Sequence, residues 1–465
     1  MNLKFREWLA FVIVALLCFG FWQKLEYPRF SFLELSVNKQ KAELAAENYL
    51  KSKGIDSGKY SKVTVFGVDD WFNRYLQITI GSKGEENFIK QYNYDLFFWK
   101  VRFYKELQKE GYVLLISPQS GDVVAYVHLI EDIEPRPSGE EDGAREKAET
   151  FLKNAYGIDF TQYEFYEKKA MRLEKRIDYS FSWSKKGVYI PWKENQGTAK
   201  LLTGATVSGD EILECYKNRL EVPESFQRYA ENQIILGKYL HNFYFILLVI
   251  LTMISVNIVV RRRYDVIARP LKKWFCSLAL VIAVINVVDV FNGLQDVFAV
   301  YPSSASMSSY IGLHLTRTIL NIILLFIGFI MPALGGEFLA HEVFHKNKRI
   351  AFLHYIRANF FNRNISKAVV LGYVITVITL GLQAIAFYLG QKYLGVWREW
   401  FKLAEFSSAY VPLFSVFAVS LTASFNEEII FRLFGISLTK KLFKNAVAAV
   451  ILTSLLWGLG HTGYV

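Results

Sequence analysis

The second half of the chain contains six apolar segments separated by short polar loops. Each segment is about long enough to cross the ~30 Å hydrocarbon core of a bilayer. A chain inside hydrocarbon must satisfy its backbone N–H and C=O groups internally, and a single segment of this length does so as an α-helix. The sequence therefore predicts a membrane-embedded, all-α helical bundle over residues 237–465. The segments lie near 239–260, 274–292, 311–335, 367–390, 408–437 and 445–465.

A further apolar run lies near the N-terminus, over residues 8–23, directly behind Lys4 and Arg6. Its far end carries bulky residues, whereas a signal-peptide cleavage site needs small ones. We therefore expect residues 1–24 to form an uncleaved transmembrane anchor with the N-terminus in the cytoplasm.

The 465-residue chain has a net charge of +11, and its basic residues concentrate in particular loops of the second half. The loops at 261–273, 346–367 and 439–444 are basic, whereas the intervening loops are not strongly so. Basic loops face the cytoplasm in membrane proteins, and this alternation satisfies that rule at each predicted crossing. The pattern indicates membrane topology, with the bilayer as a partner and no nucleic acid. We expect a multi-pass protein of the cell membrane in which residues 25–236 are extracytoplasmic.

The region between the anchor and the bundle is polar and contains an internal repeat. The stretch AENYLKSKGID at 46–56 returns as AETFLKNAYGID at 148–159. Both stretches have helical spacing and reach a glycine, which is a common signal for a helix C-terminus. Strand-like runs follow each of them, so we predict two extracytoplasmic α+β repeats side by side, over 25–135 and 136–236. Their helix and hairpin resemble extracytoplasmic domains of the PepSY type.

Three charged residues lie inside the apolar segment 408–437. A charge in hydrocarbon costs about 2.5–3.5 kcal/mol on insertion scales, so such a cluster indicates function or pairing. Glu428 and Arg432 are four residues apart, so they share a helix face and can form an ion pair. Glu427 is rotated by about 100° from Glu428 and needs another partner. His461 lies at a similar depth on the next, antiparallel segment, where a carboxylate and an imidazole can meet in the environment that a general base requires.

At these residues the sequence resembles the CPBP family of intramembrane proteases, which contains the type II CAAX prenyl endopeptidases. EEIIFR at 427–432 is similar to the family's EExxxR motif, and WGLGH at 457–461 is similar to its aromatic-xxx-His motif. The two motifs occur in the family's order on consecutive predicted helices. The resemblance covers about residues 408–465 and implies hydrolysis of a peptide bond within or at the membrane.

The resemblance implies roles for four residues. Glu427 would activate a water molecule, Glu428 and Arg432 would support the site, and His461 would position the water or stabilise the oxyanion. Members of the family are often called metalloproteases, although a metal-free, glutamate-dependent mechanism is also argued for the fold. The cofactor is therefore undecided between none and a divalent metal such as zinc, for which Glu427 and His461 would be ligands.

The last motif of the family, a histidine and an asparagine on a later helix, has no counterpart before Val465. Because the chain stops inside a predicted helix, we expect the bundle to be truncated at its C-terminus. Without that motif the oxyanion site, or a metal site, would be incomplete.

HEVFH at 341–345 offers a second protease chemistry. In an HExxH motif two histidines bind zinc and the glutamate is the base, which here would be His341, His345 and Glu342. A catalytic zinc also needs a third protein ligand, and the sequence places none in a recognised spacing. A zinc protease at this motif is nevertheless one alternative. A non-catalytic membrane scaffold, transporter or immunity-like protein is another.

The favoured prediction is an intramembrane endopeptidase that acts on a membrane-associated or lipidated protein or peptide. Other polar residues of the apolar segments are interpreted differently. Asp289 and Asn292 lie near the outer end of a predicted helix, and we expect them to cap helices rather than to catalyse.

Overall fold

The computed structural model describes residues 3–26, 33–137, 139–193, 196–264, 271–344 and 361–462. Within these residues an apolar helix at the N-terminus is followed by an antiparallel sheet, and the C-terminal half is helical. This order confirms the predicted N-terminal apolar helix, a central region that contains strands, and a helical C-terminal half.

The described residues of the first half form five α-helices and eight strands: α1 (Phe5–Leu25), α2 (Lys39–Ser52), β1 (Ser61–Val68), α3 (Asp70–Thr79), α4 (Gly81–Tyr92), β2 (Phe97–Tyr104), β3 (Gly111–Ile116), β4 (Val123–Leu129), α5 (Glu141–Tyr156), β5 (Tyr163–Arg172), β6 (Ile177–Pro191), β7 (Thr198–Ser208) and β8 (Glu211–Glu221). The second half contains α6 (Glu224–Arg261), α7 (Leu271–Asn292), α8 (Leu294–Ala299), α9 (Met307–Phe344), α10 (Arg363–Leu394), α11 (Phe401–Ser408), α12 (Pro412–Glu427), a π-helix (Glu428–Ile436), α13 (Ser437–Phe443) and α14 (Ala446–Leu459).

Six helical stretches of the described chain are long and apolar enough to cross a membrane. They comprise α1, α6, α7, α9, α10 and the continuous stretch from Pro412 to Phe443. Each coincides with a segment that hydropathy predicted. The last predicted segment, 445–465, forms the shorter apolar helix α14, which ends at Leu459.

The two predicted repeats build one sheet rather than two separate modules. Its strand order is β1-β2-β3-β4-β8-β7-β6-β5, and all neighbouring strands are antiparallel. Each repeat supplies four consecutive strands, and the halves join where Tyr126 of β4 pairs with Cys215 of β8. Pairing between strands so far apart in sequence leaves no local signal, which is why the sequence did not predict the joint.

The helices α2 and α5 repeat the same packing on the two halves of the sheet. Each buries two alanines and a leucine at spacings of four residues, which places the three side chains on one helix face. The alanines bring the helix close to the strands, and both helices end at a glycine with positive φ, 76° at Gly54 and 65° at Gly157. The prediction that both helices end near these glycines is therefore confirmed. The buried residues are Ala42, Ala46 and Leu50 in α2 and Ala144, Ala148 and Leu152 in α5.

Helix α6 connects the sheet to the bundle without a break. Its first turns pack on the sheet core, where the Phe226 ring lies edge-on to Tyr75 at 4.8 Å and to Trp192 at 4.9 Å between ring centroids. The later turns are apolar and membrane-like. Residue 236, the predicted end of the second repeat, lies inside this continuous helix.

Side chains from α8 and α11, which lie between the long helices of the bundle, form hydrogen bonds with the edge strand β1 of the sheet. The Phe66 N–H of edge strand β1 donates to Ser408 Oγ at 2.9 Å, and the Thr64 N–H donates to Gln295 Oε1 at 3.3 Å. An ion pair of 2.7 Å joins Arg74 to Glu399. Side chains of the bundle thus satisfy backbone groups that a neighbouring strand would otherwise satisfy. The loops involved are those that were predicted to face outward; the extracytoplasmic side itself stays a prediction of the positive-inside rule.

Candidate functional site

The N-terminal end of α12 is fixed by the C-terminal end of α7. Asn292 Oδ1 accepts from the Val411 N–H at 2.7 Å, and Asn292 Nδ2 donates to Ser415 Oγ at 2.9 Å. Ser415 Oγ donates in turn to Asp289 Oδ1 at 2.6 Å. Asn292 therefore bonds the backbone at the start of α12, whereas Asp289 bonds a side chain of α12 and does not cap a helix as predicted. Both residues hold the helix that leads to Glu427.

A nine-residue π-helix begins directly after Glu427, at Glu428. The sequence predicted a regular α-helix here, and the structure corrects that expectation. π-helical turns are rare and frequently occur at functional sites.

Close packing on both sides accompanies the π-helix. A Cβ atom on Gly336 of α9 would lie 2.9 Å from the backbone nitrogen of Phe434, which shows that the two backbones are in direct contact. On the other side, a Cβ atom on Gly435 would lie 2.7 Å from Thr453 Cγ2 of α14. Glycines at both contacts let the π-helix sit between α9 and α14. No local pattern in the sequence indicated this arrangement.

Glu428 and Arg432 form the predicted ion pair within the helix. Their side chains remain 53% and 68% exposed, and they line a cleft of about 670 Å³ between the π-helix and α10. Thr376 and Thr379 of α10 line the same cleft. The pair thus presents charge to a groove on the flank of the bundle.

Glu427 and His461 approach each other as predicted. Glu427 Oε1 lies 3.9 Å from His461 Nε2, and the side chains are 37% and 43% exposed. His461 Nδ1 lies 2.9 Å from the backbone carbonyl of Trp457. A carbonyl only accepts, so Nδ1 carries a hydrogen, and in the neutral form of the ring Nε2 is an acceptor.

His461 lies just past the C-terminus of α14, and helix α6 holds this turn in place. Thr462 Oγ1 donates to the Gly237 carbonyl of α6 at 3.3 Å. A Cβ atom on Gly460 would lie 3.0 Å from Tyr244 Cζ, so α6 packs directly against the turn. The Trp457 ring lies 4.3 Å from the imidazole between centroids. No sequence pattern indicated Tyr244 or Gly237, because α6 is more than 200 residues away in the chain.

The HEVFH motif has a different environment. Glu342 Oε2 accepts from Lys441 Nζ at 2.6 Å, and Glu342 also forms an ion pair with Arg262. His341 Nε2 lies 3.5 Å from Glu337 Oε1, one helical turn earlier. The second histidine of the motif, His345, lies outside the described residues. Glu342 is therefore engaged by two cations that join the ends of α6, α9 and α13.

Among the described residues, Glu427 and His461 are too few to hold a catalytic zinc ion. A catalytic zinc takes three protein ligands and keeps one position open, whereas Glu427 and His461 supply two. Across the described residues no group of three or more His, Cys, Asp or Glu side chains is arranged to hold a metal ion. We therefore derive no catalytic step through a metal.

The chain was compared with curated proteins, solved structures and family models. A comparison with curated proteins gave no match. The C-terminal domain of YpeB from Bacillus megaterium is similar to 39% of this chain, over 63% of its own length, with 12% identity and a TM-score of 0.22, a similarity too low to carry an argument. Residues 409–464 match the family model described as type II CAAX prenyl endopeptidase Rce1-like. The segment that carries both motifs is thus related to the CPBP intramembrane proteases, as the sequence predicted.

Proposed function

We propose that this chain is an intramembrane endopeptidase that hydrolyses a peptide bond of a membrane-associated or lipidated protein or peptide. The observation that carries the proposal is the separation of 3.9 Å between Glu427 Oε1 and His461 Nε2, formed between two apolar helices of the family-related segment. The multi-pass helical architecture supports a reaction in or at the membrane.

The proposed water site follows from the hydrogen-bonding capacity of the two side chains. An ionised Glu427 accepts, and the neutral His461 ring accepts through Nε2 because its Nδ1 hydrogen is donated to the Trp457 carbonyl. Two acceptors 3.9 Å apart leave room for one water molecule at about 2.8 Å from both. That water donates one hydrogen to each acceptor, so its oxygen lone pair faces away from them.

In the proposed reaction Glu427 takes a proton from this water as the oxygen attacks the carbonyl carbon of the substrate. The tetrahedral intermediate then collapses, the C–N bond breaks, and Glu427 returns the proton to the leaving nitrogen. The products are a carboxylic acid and an amine, and Glu427 is regenerated. General acid–base assistance of this kind contributes about 10²–10⁴-fold.

Glu428 and Arg432 have a supporting role in this proposal. Their ion pair leaves both side chains in contact with the cleft of about 670 Å³ beside α10. A cleft of this size accommodates several residues of an extended chain. The cleft is lined by Glu428, the residue that follows Glu427 in the chain, and a substrate would have to extend from the cleft past Glu428 to reach Glu427.

The test uses the protein in detergent or liposomes with a library of peptide substrates. Glu427→Gln keeps the shape of the side chain but removes the base, and cleavage should fall by about 10²–10⁴-fold. His341→Ala serves as the matched control, because it removes a histidine of the competing motif and should leave cleavage unchanged. Total metal is measured in both samples, and the reaction is repeated with a chelator to decide whether a divalent metal is needed.

The outcomes separate the alternatives. Undiminished cleavage by Glu427→Gln together with loss of cleavage in His341→Ala would assign the reaction to the zinc-protease motif. If neither substitution alters any peptide product, a non-catalytic scaffold, transporter or immunity-like protein is the better description.

A further inference from the structure

A second cleft, of about 790 Å³, lies where the first repeat meets the outer end of α12. It is lined by residues from the start of α2, from β1 and β2, and from the loop that leads into α12. The described lining residues include none of the proposed peptidase residues. The cleft therefore needs an explanation of its own.

Contacts between the sheet and the bundle position the residues that form the walls of this cleft, so the cleft is already formed without a ligand. On the sheet side, the rings of Phe66 and Trp99 are buried and meet edge to face at 4.9 Å between centroids. Trp99 Nε1 donates to the Val37 carbonyl at 2.8 Å. On the bundle side, Ser408 bonds to the edge strand and holds the loop that carries Tyr410. A preformed cleft with aromatic walls suits a ligand that has an apolar body.

Two lysines line the cleft, and they differ in their partners. Lys62 forms ion pairs with Glu43 and Glu47, both at 2.8 Å, so its charge is matched. Lys39 Nζ contacts the Ser408 carbonyl at 3.4 Å and lies 5.2 Å from the centre of the Tyr410 ring. Across the described chain, no carboxylate lies within ion-pair distance of Lys39.

Lys39 is half-buried in the wall of the cleft. Burial lowers the pKa of Lys39, and the nearby negative charges of Glu43 and Asp296 oppose that effect only in part. A half-buried cation without a carboxylate partner gains more from an anionic ligand than an exposed lysine does. The cleft thus combines aromatic walls, one available cation and the amide side chains of Asn38 and Gln40.

We propose that this cleft binds the C-terminal end of a short peptide, with the peptide carboxylate on Lys39. The side chains of the peptide would lie against Phe66, Trp99 and Tyr410, and its amide groups would face Asn38 and Gln40. Binding in this cleft does not require peptide hydrolysis at Glu427. Its far wall at Pro412 is the first residue of α12, which reaches Glu427 about 22 Å further along the helix axis.

The test measures binding alone, so it does not depend on the peptidase function. All samples carry Glu427→Gln, which prevents hydrolysis of the probe. The probe is trialanine with an N-terminal dansyl group, compared with the same peptide as its C-terminal amide, and binding to the full chain in detergent is followed by fluorescence anisotropy. We expect the free acid to bind at least about tenfold more tightly than the amide.

Substitutions then locate the effect. Lys39→Met removes the ammonium group, keeps the apolar stem and should abolish the preference for the acid, whereas Lys39→Arg should keep it. Lys41→Met, on the same helix but exposed and outside the cleft, should bind like the parent. Melting temperatures show that each variant is folded.

Three results would overturn the proposal. They are equal binding of acid and amide by the parent, a preference for the acid that survives Lys39→Met, and no saturable binding of either peptide. In nanodiscs, Lys39-dependent stabilisation by phosphatidylglycerol over phosphatidylcholine, without peptide binding, would assign the cleft to a lipid headgroup instead.

Discussion

Two clusters of carboxylates and histidines lie in the helical half, and they differ in what faces the central glutamate. Glu427 faces an imidazole at 3.9 Å. Glu342 faces two cations, Lys441 and Arg262, which belong to other parts of the bundle. Both clusters contain the residue types of a protease motif, so residue type alone does not distinguish them.

The comparison shows how the surroundings of a carboxylate decide its use. A glutamate held between two cations is stabilised as the anion and ties helix ends together, which suits a structural role. A glutamate opposite a neutral imidazole can share a water molecule with it and accept a proton, which suits a general base. The following predictions test this contrast, beginning with the largest expected effect.

The first prediction compares the two histidines. His461→Ala removes one of the two acceptors that hold the proposed water, and we expect the rate of peptide cleavage to fall by about 10²-fold. His341→Ala, in the second cluster, should cleave at the parental rate. Initial rates at saturating peptide measure both, and a parental rate for His461→Ala would contradict the proposed site.

The second prediction concerns the packing that places Glu427. Gly336→Ala puts a methyl group 2.9 Å from the Phe434 nitrogen, and overpacking of this kind costs about 1–3 kcal/mol. We expect a lower melting temperature and slower cleavage, because the π-helix must move. Gly328→Ala on the same helix is the control, since its added Cβ meets nothing within 4 Å. Equal behaviour of the two variants would show that the close contact does not position the site.

The third prediction concerns the second cluster. Glu342→Gln loses the charge that engages Arg262 and Lys441, and because the carboxylate is partly exposed we expect a loss of about 1 kcal/mol in stability. Thermal unfolding in detergent measures this loss. Cleavage per folded molecule should not change. Glu405→Gln, which breaks a surface pair with Lys402, is the control and should alter neither quantity. A large loss of cleavage in folded Glu342→Gln would favour the zinc-protease alternative.

The fourth prediction concerns a carboxylate at the junction of sheet and bundle. Burial, together with the nearby charge of Glu399, raises the pKa of Asp70 to about 6. The folded state therefore keeps a proton that the unfolded chain releases above about pH 4, so this group lowers stability as the pH rises from about 4 to about 6. Asp70→Asn should flatten the pH dependence of the melting temperature over that window. An unchanged pH profile would show that Asp70 does not titrate in this range.

Local sequence patterns predicted much of the site. The Glu428–Arg432 pair follows from a spacing of four residues, and the bond of Asn292 to the backbone at the start of α12 fits its position at a helix end. The π-helix and the contact of α6 with the turn around His461 had no such signal. Both depend on close packing between segments that are far apart in sequence, and a hydropathy pattern contains no information about those distances.

The sequence by itself determined which segments are membrane-like helices, because an apolar run of this length in lipid has no other way to satisfy its backbone. The sequence also contains the two protease-like motifs and predicts the pair of repeated helices, α2 and α5. The tertiary structure decided that the repeats share one sheet through β4 and β8, and that Gly336 and Gly435 hold a π-helix between α9 and α14. It decided as well that Glu427 meets an imidazole while Glu342 meets cations. Periodicity fixes the face on which a side chain lies, whereas its partner depends on which helices pack together.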